Sequence, residues 1–286
     1  MTNPADNTLT RIENLLACPS CLKPLNLGDG YISCSGCGAR YPIQNGIPLM
    51  ARMGIPDVGR QVFSGVDGNT SDPYQQQYQD LREAAQYNAE YKQKFFKRMS
   101  TRREFHILRR LLAGQGHTQV VLDVPSGGGR LSMQIAPFTD LLIEADIARG
   151  QVEYGKNNSR ISVPQIWMTA SAFCLPFHDN SIDAAICCRL CHHLPTKHER
   201  DALIIELLRV SKKFVLMTFF DYHSVKNYLR RIRQPFDHQL PKMTMKRQEI
   251  KDLAAQHGAT LIDAPYLAPF SSGHRYALMV KSGARV

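Results

Sequence analysis

The feature that most constrains the fold is a glycine-rich turn directly after a short apolar run. Residues 119–123 (QVVLD) have the composition of a buried strand, and residues 124–130 (VPSGGGR) follow them. Consecutive glycines allow positive φ angles and let the backbone approach a ligand closely. A strand, an acid, a glycine turn and a helix are the opening elements of a nucleotide-binding α/β unit. The surrounding sequence decides whether such a unit is present.

Short apolar runs alternate with helical stretches along most of the chain. The apolar runs predict strands at 119–123, 141–145, 182–188, 214–219 and 276–281, with a weaker one at 259–263. The intervening composition favours helices at 129–136, 148–157, 198–210, 223–233 and 246–257. Residues 77–113 are helical in composition and predict two helices broken near 98–103. This alternation predicts a mainly parallel sheet with helices on both faces.

A second acid stands where a nucleotide-binding unit places one. Asp146 ends the apolar run LLIEAD, seventeen residues after Gly129. In such folds an acid at this position can accept hydrogen bonds from both hydroxyls of an adenosine ribose. The segment SAFCLPFHDNSID at 171–183 then predicts a loop that enters the strand at 182–188. Together these segments strengthen the nucleotide-binding interpretation of the glycine turn.

Four of the eight cysteines form two C-x2-C pairs, CPSC and CSGC, separated by twelve residues. Two such turns can close a tetrahedral thiolate shell around one Zn²⁺. A four-cysteine shell leaves no open position, so the predicted zinc is structural and stabilises a small domain at 11–50. The predicted ligands are Cys18, Cys21, Cys34 and Cys37. In the segment CCRLCHHL at 187–194, Cys187 and Cys188 instead lie on the strand predicted at 182–188, where cysteine behaves as a small hydrophobe.

The order of these segments resembles class I S-adenosylmethionine-dependent methyltransferases, of the broad type that includes the quinone C-methyltransferases. The resemblance covers about residues 80–281 and rests on VVLDVPSGGGR, LLIEADIARGQVEYGK, ASAFCLPFHDNSIDAAICCRLCHHL and ELLRVSKKFVLMTF. The four-cysteine segment, followed by YPIQNGIPLM, resembles the zinc-ribbon domain that partners or precedes several methyltransferases. The resemblance implies a Rossmann-like α/β domain at 77–286, with a seven-stranded sheet whose last strand is antiparallel. The zinc ribbon at 11–50 would precede it, and residues 51–76, rich in Gly, Pro, Asp and Ser, predict a linker or lid.

The resemblance also implies which residues of the glycine turn hold S-adenosylmethionine. Asp123, Gly127 and Gly129 match the acid and the last two glycines of the family's first motif. Pro125 stands where the first glycine usually is. Proline removes one N–H donor and stiffens the turn, so we interpret it as a variant of the motif.

Three further segments match the cofactor-binding positions of the family. Asp146 matches the ribose acid, and Ile147 is expected to lie against the adenine. Ser171 stands where an acid usually receives the adenine amino group, and a hydroxyl accepts that bond more weakly than a carboxylate. The residues expected to flank the adenine are Ala172 and Phe173.

The acceptor side of the predicted site is less specific. Arg189 ends the strand at 182–188, beside the expected position of the methionine moiety. A general base is needed only if the acceptor must lose a proton, and His192 and His193 are the predicted catalytic residues. The alternative is that HHL only opens a helix, as it does in many relatives regardless of substrate. Other candidates for this region are Tyr222, His223, His274 and Arg275.

The chain is strongly basic, with a formal net charge of +10. Residues 209–251 hold eleven Lys and Arg against three acids, a local excess of eight. Such a charge suits an anionic partner, such as nucleic acid, a lipid head group or a polyanionic glycan, or serves solubility alone. For the basic segment 224–247, RNA contact, membrane-surface docking and a solvated face all stay open.

The sequence contains no run of about 18 apolar residues and therefore predicts no membrane span. Its N-terminus lacks an apolar signal region, and the cysteines fit thiols or metal ligands, so we expect a cytoplasmic protein. The predicted function is methyl transfer from S-adenosylmethionine to a small-molecule, lipid or glycan acceptor. The alternatives are an rRNA or tRNA methyltransferase and a non-catalytic scaffold. Pro125 and Ser171 support the scaffold alternative because both depart from the family motif.

Overall fold

The computed structural model describes residues 9–52, 95–233, 243–268 and 272–284. Apart from residues 51 and 52, the linker or lid predicted at 51–76 lies outside the described residues, and so do residues 77–94. Within the described part of the chain, none of the helices has the length and apolar character that a membrane crossing needs.

The N-terminal unit is a small antiparallel sheet. A 3-10 helix at Thr10–Leu15 precedes four strands that pair in sequence order. The strands are β1 (Leu25–Gly28), β2 (Tyr31–Cys34), β3 (Arg40–Gln44) and β4 (Ile47–Pro48). Each C-x2-C pair lies at a turn beside this sheet.

The larger unit alternates helices and strands. Helix α1 (Phe95–Ala113) leads into β5 (Thr118–Asp123), α2 (Ser132–Ile135), β6 (Thr139–Asp146), α3 (Arg149–Asn158) and β7 (Gln165–Thr169). Then follow β8 (Ile182–Cys187), α4 (Lys197–Val210), β9 (Ser211–Phe220) and α5 (Val225–Arg233). The last elements are α6 (Arg247–Gln256), β10 (Ala259–Asp263) and β11 (His274–Lys281).

The sheet has the order β10-β11-β9-β8-β5-β6-β7. Strands β5 to β9 pair in parallel, whereas β11 runs antiparallel between β9 and β10. The predicted seven-stranded sheet with an antiparallel last strand is therefore confirmed. The order reverses at β5, and such a switch point opens a crevice at the carboxyl ends of the neighbouring strands.

The core lies on both faces of this sheet. Successive residues of a strand point to opposite faces, and Val121 and Leu122 in β5 belong to two different apolar clusters. One cluster packs under α1, where Ile107, Leu108 and Leu111 are buried. The other packs under α4 and α6. The predicted placement of helices on both faces is therefore confirmed.

Several predicted elements differ from those in the structure, and strand β9, for example, begins at Ser211 and not at 214. Helix α1 runs unbroken through 98–103, so the predicted break is wrong. Ser100 and Thr101 have weak helix propensity, but the buried stripe that follows them stabilises the helix by packing. The helix predicted at 129–136 begins only at Ser132, because Gly129 has φ +75°. Strand β7 was not predicted, since its run QIWMT is short.

The N-terminal unit packs directly on the larger unit. The N–H of Met50 donates to the Thr169 carbonyl at 3.0 Å, which continues the main sheet beyond β7. Ile12, Leu16 and Phe177 belong to one continuous buried cluster that spans both units. The ribbon and the larger unit therefore share part of their core, and we expect their stabilities to be coupled.

Candidate active site and metal centre

The four predicted zinc ligands converge in the ribbon. The Sγ atoms of Cys18 and Cys37 are 3.6 Å apart, and those of Cys21 and Cys34 are 3.5 Å apart. All four sulfur atoms lie within 4.8 Å of one another. Zn–S bonds of about 2.3 Å place tetrahedral sulfur atoms roughly 3.8 Å apart. The donor set therefore fits a closed Zn²⁺ site of the structural kind.

Hydrogen bonds from the surrounding residues orient the thiol groups. The N–H groups of Ser20 and Gly36 donate to the sulfur atoms of Cys18 and Cys34, at 3.4 and 3.3 Å. The Tyr41 hydroxyl lies 3.2 Å from the Cys18 sulfur. Such contacts fix the direction of metal ligands and tune their donor strength.

The remaining cysteines lie elsewhere. The other four, Cys174, Cys187, Cys188 and Cys191, are buried, and burial raises the pKa of all four thiols. Buried thiols that stay protonated at neutral pH act as small apolar groups. Within the described part of the chain, their sulfur atoms join no group that could hold a metal ion.

The glycine turn lies at the carboxyl end of β5. Gly127 and Gly129 have φ angles of +56° and +75°, which favour glycine at both positions. A Cβ at Gly129 would lie 2.8 Å from the Trp167 ring, so this glycine also allows close packing. At Gly127 the nearest atom would be 3.9 Å away, in Gln151, so the turn is open on that side. This opening is where a ligand could approach the backbone.

Asp146 forms a hydrogen-bonded bridge between the glycine turn and the start of α3. Its two carboxylate oxygens accept from the N–H groups of Gly127 and Ala148, both at 2.9 Å. The side chain is buried, and burial raises its pKa to about 6, although these N–H groups oppose the shift. Each oxygen keeps a second lone pair that can accept a further hydrogen bond. Ile147, the next residue, is half-buried.

Asp123 is the most unusual group of the turn. The residue is fully buried, and among the described residues neither of its carboxylate oxygens has a hydrogen-bond partner. Burial raises the pKa of Asp123 well above its ordinary value, and the nearby charge of Glu144 adds to the shift. A buried carboxylate without a partner is costly, so it points to a ligand that would compensate it. Pro125, two residues on, is half-buried and follows a cis peptide bond.

Glu104 of α1 connects the turn with the end of β8. It forms paired ion contacts with Arg130, at 2.7 and 3.2 Å, and with Arg189, at 2.8 and 3.2 Å. Burial alone would raise the pKa of Glu104, but the charges of the two arginines lower it below its ordinary value. Arg189 has φ +69° and its N–H donates to the Thr218 hydroxyl at 2.8 Å. This clamp fixes the direction of two guanidinium groups beside the turn.

The charges at this edge of the sheet do not balance. Four buried carboxylates lie close together, whereas the clamp contains only two arginines. The carboxylates are those of Glu104, Asp123, Glu144 and Asp146. Burial also raises the pKa of Glu144, to about 7. Burial raises the pKa of three of these acids, and a ligand of net positive charge would favour their ionised forms. S-adenosylmethionine is such a ligand, because its sulfonium and ammonium groups outnumber its single carboxylate.

The loop after β7 holds the residues predicted to surround an adenine. Ser171 and Ala172 are buried, and Phe173 is half-buried. The N–H of Phe173 donates to the Ser171 hydroxyl at 3.3 Å, so this hydroxyl stabilises the loop. An oxygen that accepts one bond can still accept a second.

Aromatic rings cluster beyond the ends of β8 and β9. The His192 ring lies 4.2 Å from His193, 4.3 Å from Phe220 and 5.0 Å from His274, measured between centroids. His192 is buried, whereas His193 is exposed. Burial lowers the pKa of His274 to about 3, and the charge of Arg189 contributes to the shift. We call these four residues the ring cluster.

The other acceptor-side candidates lie around a separate buried acid. Asp221 accepts from Arg275 at 2.7 Å, from the Tyr266 hydroxyl at 2.6 Å and from the N–H of His223 at 3.0 Å. Tyr222 packs against the guanidinium of Arg231, 3.8 Å from its ring centroid. These contacts favour a structural role for this group.

Sequence reasoning missed Glu104 and Phe220. Glu104 is the only acid between Glu90 and Asp123 in the sequence, and it lies on a helix rich in arginine. A single acid among several arginines could have indicated a buried ion pair. Phe220 directly follows the strand predicted at 214–219, and no feature of the sequence separated it from the apolar residues of that strand. The structure brings both residues to the same end of the sheet as the glycine turn.

Comparisons with known families agree with this geometry. Residues 122–217 match the family described as "Methyltransferase domain", and residues 11–46 match "Trm112p-like protein". The first match contains the glycine turn, Asp146 and the two adjacent histidines; the second contains all four zinc-ligand cysteines. A comparison of the sequence with curated proteins finds no match.

Solved structures show the same fold. A magnesium protoporphyrin IX methyltransferase from Synechocystis PCC 6803 with bound SAH is similar at 16% identity and a TM-score of 0.56, over 66% of this chain and 88% of that chain. A chain from the complex between the Haloferax volcanii Trm112 methyltransferase activator and a candidate methyltransferase is similar at 11% identity and a TM-score of 0.53. That similarity covers 75% of this chain and 100% of that chain.

The fold and the family matches together define a class I methyltransferase domain. A Trm112p-like zinc ribbon precedes it in the same chain. The prediction of an S-adenosylmethionine-dependent methyltransferase with an N-terminal four-cysteine ribbon is therefore confirmed. The role of each predicted site residue stays a prediction.

Proposed function

We propose that the chain methylates an acceptor that lies against the ring cluster, with S-adenosylmethionine held at the glycine turn. One observation carries this proposal. The buried carboxylate of Asp123, which has no hydrogen-bond partner among the described residues, lies at the same end of the sheet as the ring cluster. The clamp of Glu104 and its two arginines lies beside both, and Arg189 is part of it. Donor and acceptor would therefore meet next to Arg189.

The proposed cofactor site follows the predicted residues. Asp123, Pro125, Gly127 and Gly129 form the turn, and the free lone pairs of Asp146 accept from the ribose hydroxyls. The adenine lies between the turn and the loop after β7; the residues proposed to contact it are Ile147, Ser171, Ala172 and Phe173. Arg189 binds beside the methionine moiety, where the Glu104 clamp holds its guanidinium in a fixed direction.

S-adenosylmethionine supplies an activated methyl group on a sulfonium centre. The chain's own residues must orient the acceptor and exclude water, and good positioning contributes on the order of 7–11 kcal/mol to such reactions. Where the acceptor must lose a proton, His192 or His193 accepts it. His274 positions the acceptor instead, because a histidine with a pKa of about 3 is a weak base.

The proposed acceptor is a small molecule, lipid or glycan with a flat or anionic group. Imidazole and phenyl rings line its site. The positive charges of Arg189, Arg230 and Lys226 act on His274, and the negative charge of Glu104 opposes them only in part. These are contacts that would suit an anionic acceptor.

Methylation of RNA or protein is the second candidate. It is favoured by the Trm112p-like ribbon and by the similarity to a chain from the Trm112 activator complex. In this chain the ribbon is part of the same polypeptide and shares core residues with the methyltransferase domain. A ribbon placed in this way could stabilise the domain whatever the acceptor is.

Labelled S-adenosylmethionine tests the proposal. Purified protein is incubated with cell extract and the labelled cofactor, and the products are separated into RNA, protein, lipid and small molecules. We expect label in the lipid or small-molecule fraction, and much less with His192→Ala. Label in RNA or protein would support the second candidate. A protein that binds the cofactor and labels no fraction would instead be a scaffold.

A further inference from the structure

Helix α5 is attached to the protein through a polar residue. Asn227 is its one buried residue, and its side-chain amide donates to the carbonyl oxygens of Asp221, at 2.9 Å, and Gly273, at 3.3 Å. A Cβ at Gly273 would lie 2.5 Å from this amide, so only glycine leaves room for it. The contact between helix and domain is therefore small and polar.

The apolar residues of α5 face away from the domain. Val225, Tyr228, Leu229 and Ile232 follow the i, i+3, i+4, i+7 spacing of a single helix face, and they are 45–56% exposed. At about 100° per residue, Asn227 lies roughly half a turn from this stripe. A surface helix of a soluble protein normally buries its apolar stripe against the core. Within the described part of the chain, helix α5 instead leaves its apolar stripe exposed.

All charged residues of α5 are basic. The helix contains Lys226, Arg230, Arg231 and Arg233, and it contains no acid. The chain around it is also basic, because residues 209–251 hold eleven cations and three acids. A short helix with an exposed apolar stripe beside several cations has the character of a membrane-interface helix.

We propose that α5 docks the protein on an anionic lipid surface, with the apolar stripe in the interface and the cations against the head groups. Charge complementarity selects this partner. RNA would also attract the cations, but it gives exposed Val, Leu and Ile no favourable contact, since RNA binding relies on cations and aromatic stacking. Tyr222 and Tyr228 add the amphipathic rings that are favoured at a membrane interface.

The position of α5 connects this surface with the proposed acceptor site. The guanidinium of Arg230 lies 5.3 Å from the centroid of Phe220, and the Phe220 ring stacks on His192. A protein docked through α5 would hold the ring cluster close to the lipid. The acceptor would then be an anionic molecule at the membrane surface, a consequence that rests on the proposed function. The docking itself does not.

Vesicle binding tests the docking without methyl transfer. Sedimentation with vesicles compares phosphatidylcholine alone with phosphatidylcholine containing phosphatidylglycerol. We expect binding to the anionic vesicles only, weakened by salt because exposed charges are screened. Leu229→Glu with Ile232→Glu should weaken binding at least about tenfold, because two aliphatic side chains leave the interface and two like charges enter it.

Two matched variants complete the test. Ile262→Glu changes an apolar residue of similar exposure on β10, and it should bind vesicles as the wild type does. Arg233→Glu keeps the apolar stripe and should weaken binding only to anionic vesicles. All variants should keep the affinity of the wild type for S-adenosylhomocysteine, which separates loss of docking from loss of the cofactor site.

Several results would overturn the proposal. The first is a failure of the wild-type protein to sediment with anionic vesicles. The second is equal binding of these vesicles by the wild type and the Leu229→Glu, Ile232→Glu double variant. Binding to a structured RNA, lost with Arg233→Glu and kept by the double variant, would assign the surface to nucleic acid. A dimer that dissociates in the double variant, without vesicle binding, would assign it to a second copy of the chain.

Discussion

Replacing Glu104 by glutamine tests whether the buried clamp organises the site. The substitution keeps the shape of the side chain and removes one negative charge. It removes the negative charge that pairs with the guanidinium groups of Arg130 and Arg189. Glu104 is only 3% exposed, while the two arginine side chains are 21% and 27% exposed.

The expected cost follows from that burial. Removing one partner of a buried ion pair typically costs about 3–5 kcal/mol. Water reaches part of each arginine and screens the remaining charge, so we expect a loss of about 2–4 kcal/mol in the free energy of unfolding. Glu153→Gln is the control, because its pair with Arg149 is a more exposed i,i+4 contact worth about 0.3–0.5 kcal/mol.

Urea unfolding monitored by fluorescence and circular dichroism measures both variants. The pKa of Glu104 is lowered in the folded protein, so its contribution is complete above the ordinary glutamate value and is lost as the pH falls through the lowered pKa. The difference between wild type and Glu104→Gln should therefore shrink in acid. Equal stability of the Glu104 and Glu153 variants near neutral pH would refute the role of the clamp.

Three further predictions follow from the metal centre, the ring cluster and the packing of α3. Cys34→Ser should reduce bound zinc from about one ion per chain to none, measured by atomic absorption, and should lower the melting temperature of the whole protein because the units share a core. His274→Asn should make the free energy of unfolding less sensitive to acid. Between pH 7 and pH 5 the wild type should lose about 1–2 kcal/mol more of this free energy than the variant, because the pKa of His274 is lowered to about 3 in the folded protein. Gly155→Ala should cost about 1–3 kcal/mol in urea unfolding, because the added Cβ would lie 2.2 Å from the Trp167 ring.

Local patterns predicted most of the sheet because its strands are short apolar runs between clear turns. The strand expected at 259–263 has the same bounds in the structure, and the helix expected at 198–210 begins one residue earlier. The helix after the glycine turn starts late because the φ angle of Gly129 is positive. A one-dimensional pattern does not contain that dihedral angle.

Contacts between distant segments were the part that the sequence could not predict. The motif identified Asp146, but its bridge to Gly127 and Ala148 depends on the three-dimensional approach of two loops. Glu104 belongs to no motif, and its importance comes from two arginines that lie 26 and 85 residues away in the chain. The orientation of α5 was equally hidden, since amphipathic spacing alone normally predicts a buried stripe.

Cofactor binding at the glycine turn is the central claim, and titration calorimetry with S-adenosylhomocysteine tests it most directly. Wild-type protein should bind about one ligand per chain. Asp146→Asn should bind at least about tenfold more weakly, since a hydrogen bond to a charged group contributes roughly 1.5–3 kcal/mol. Asp140→Asn, which changes an exposed acid at the start of the same strand, β6, should bind as the wild type does. No binding by the wild type, or equal affinity of the Asp146 and Asp140 variants, would contradict the account.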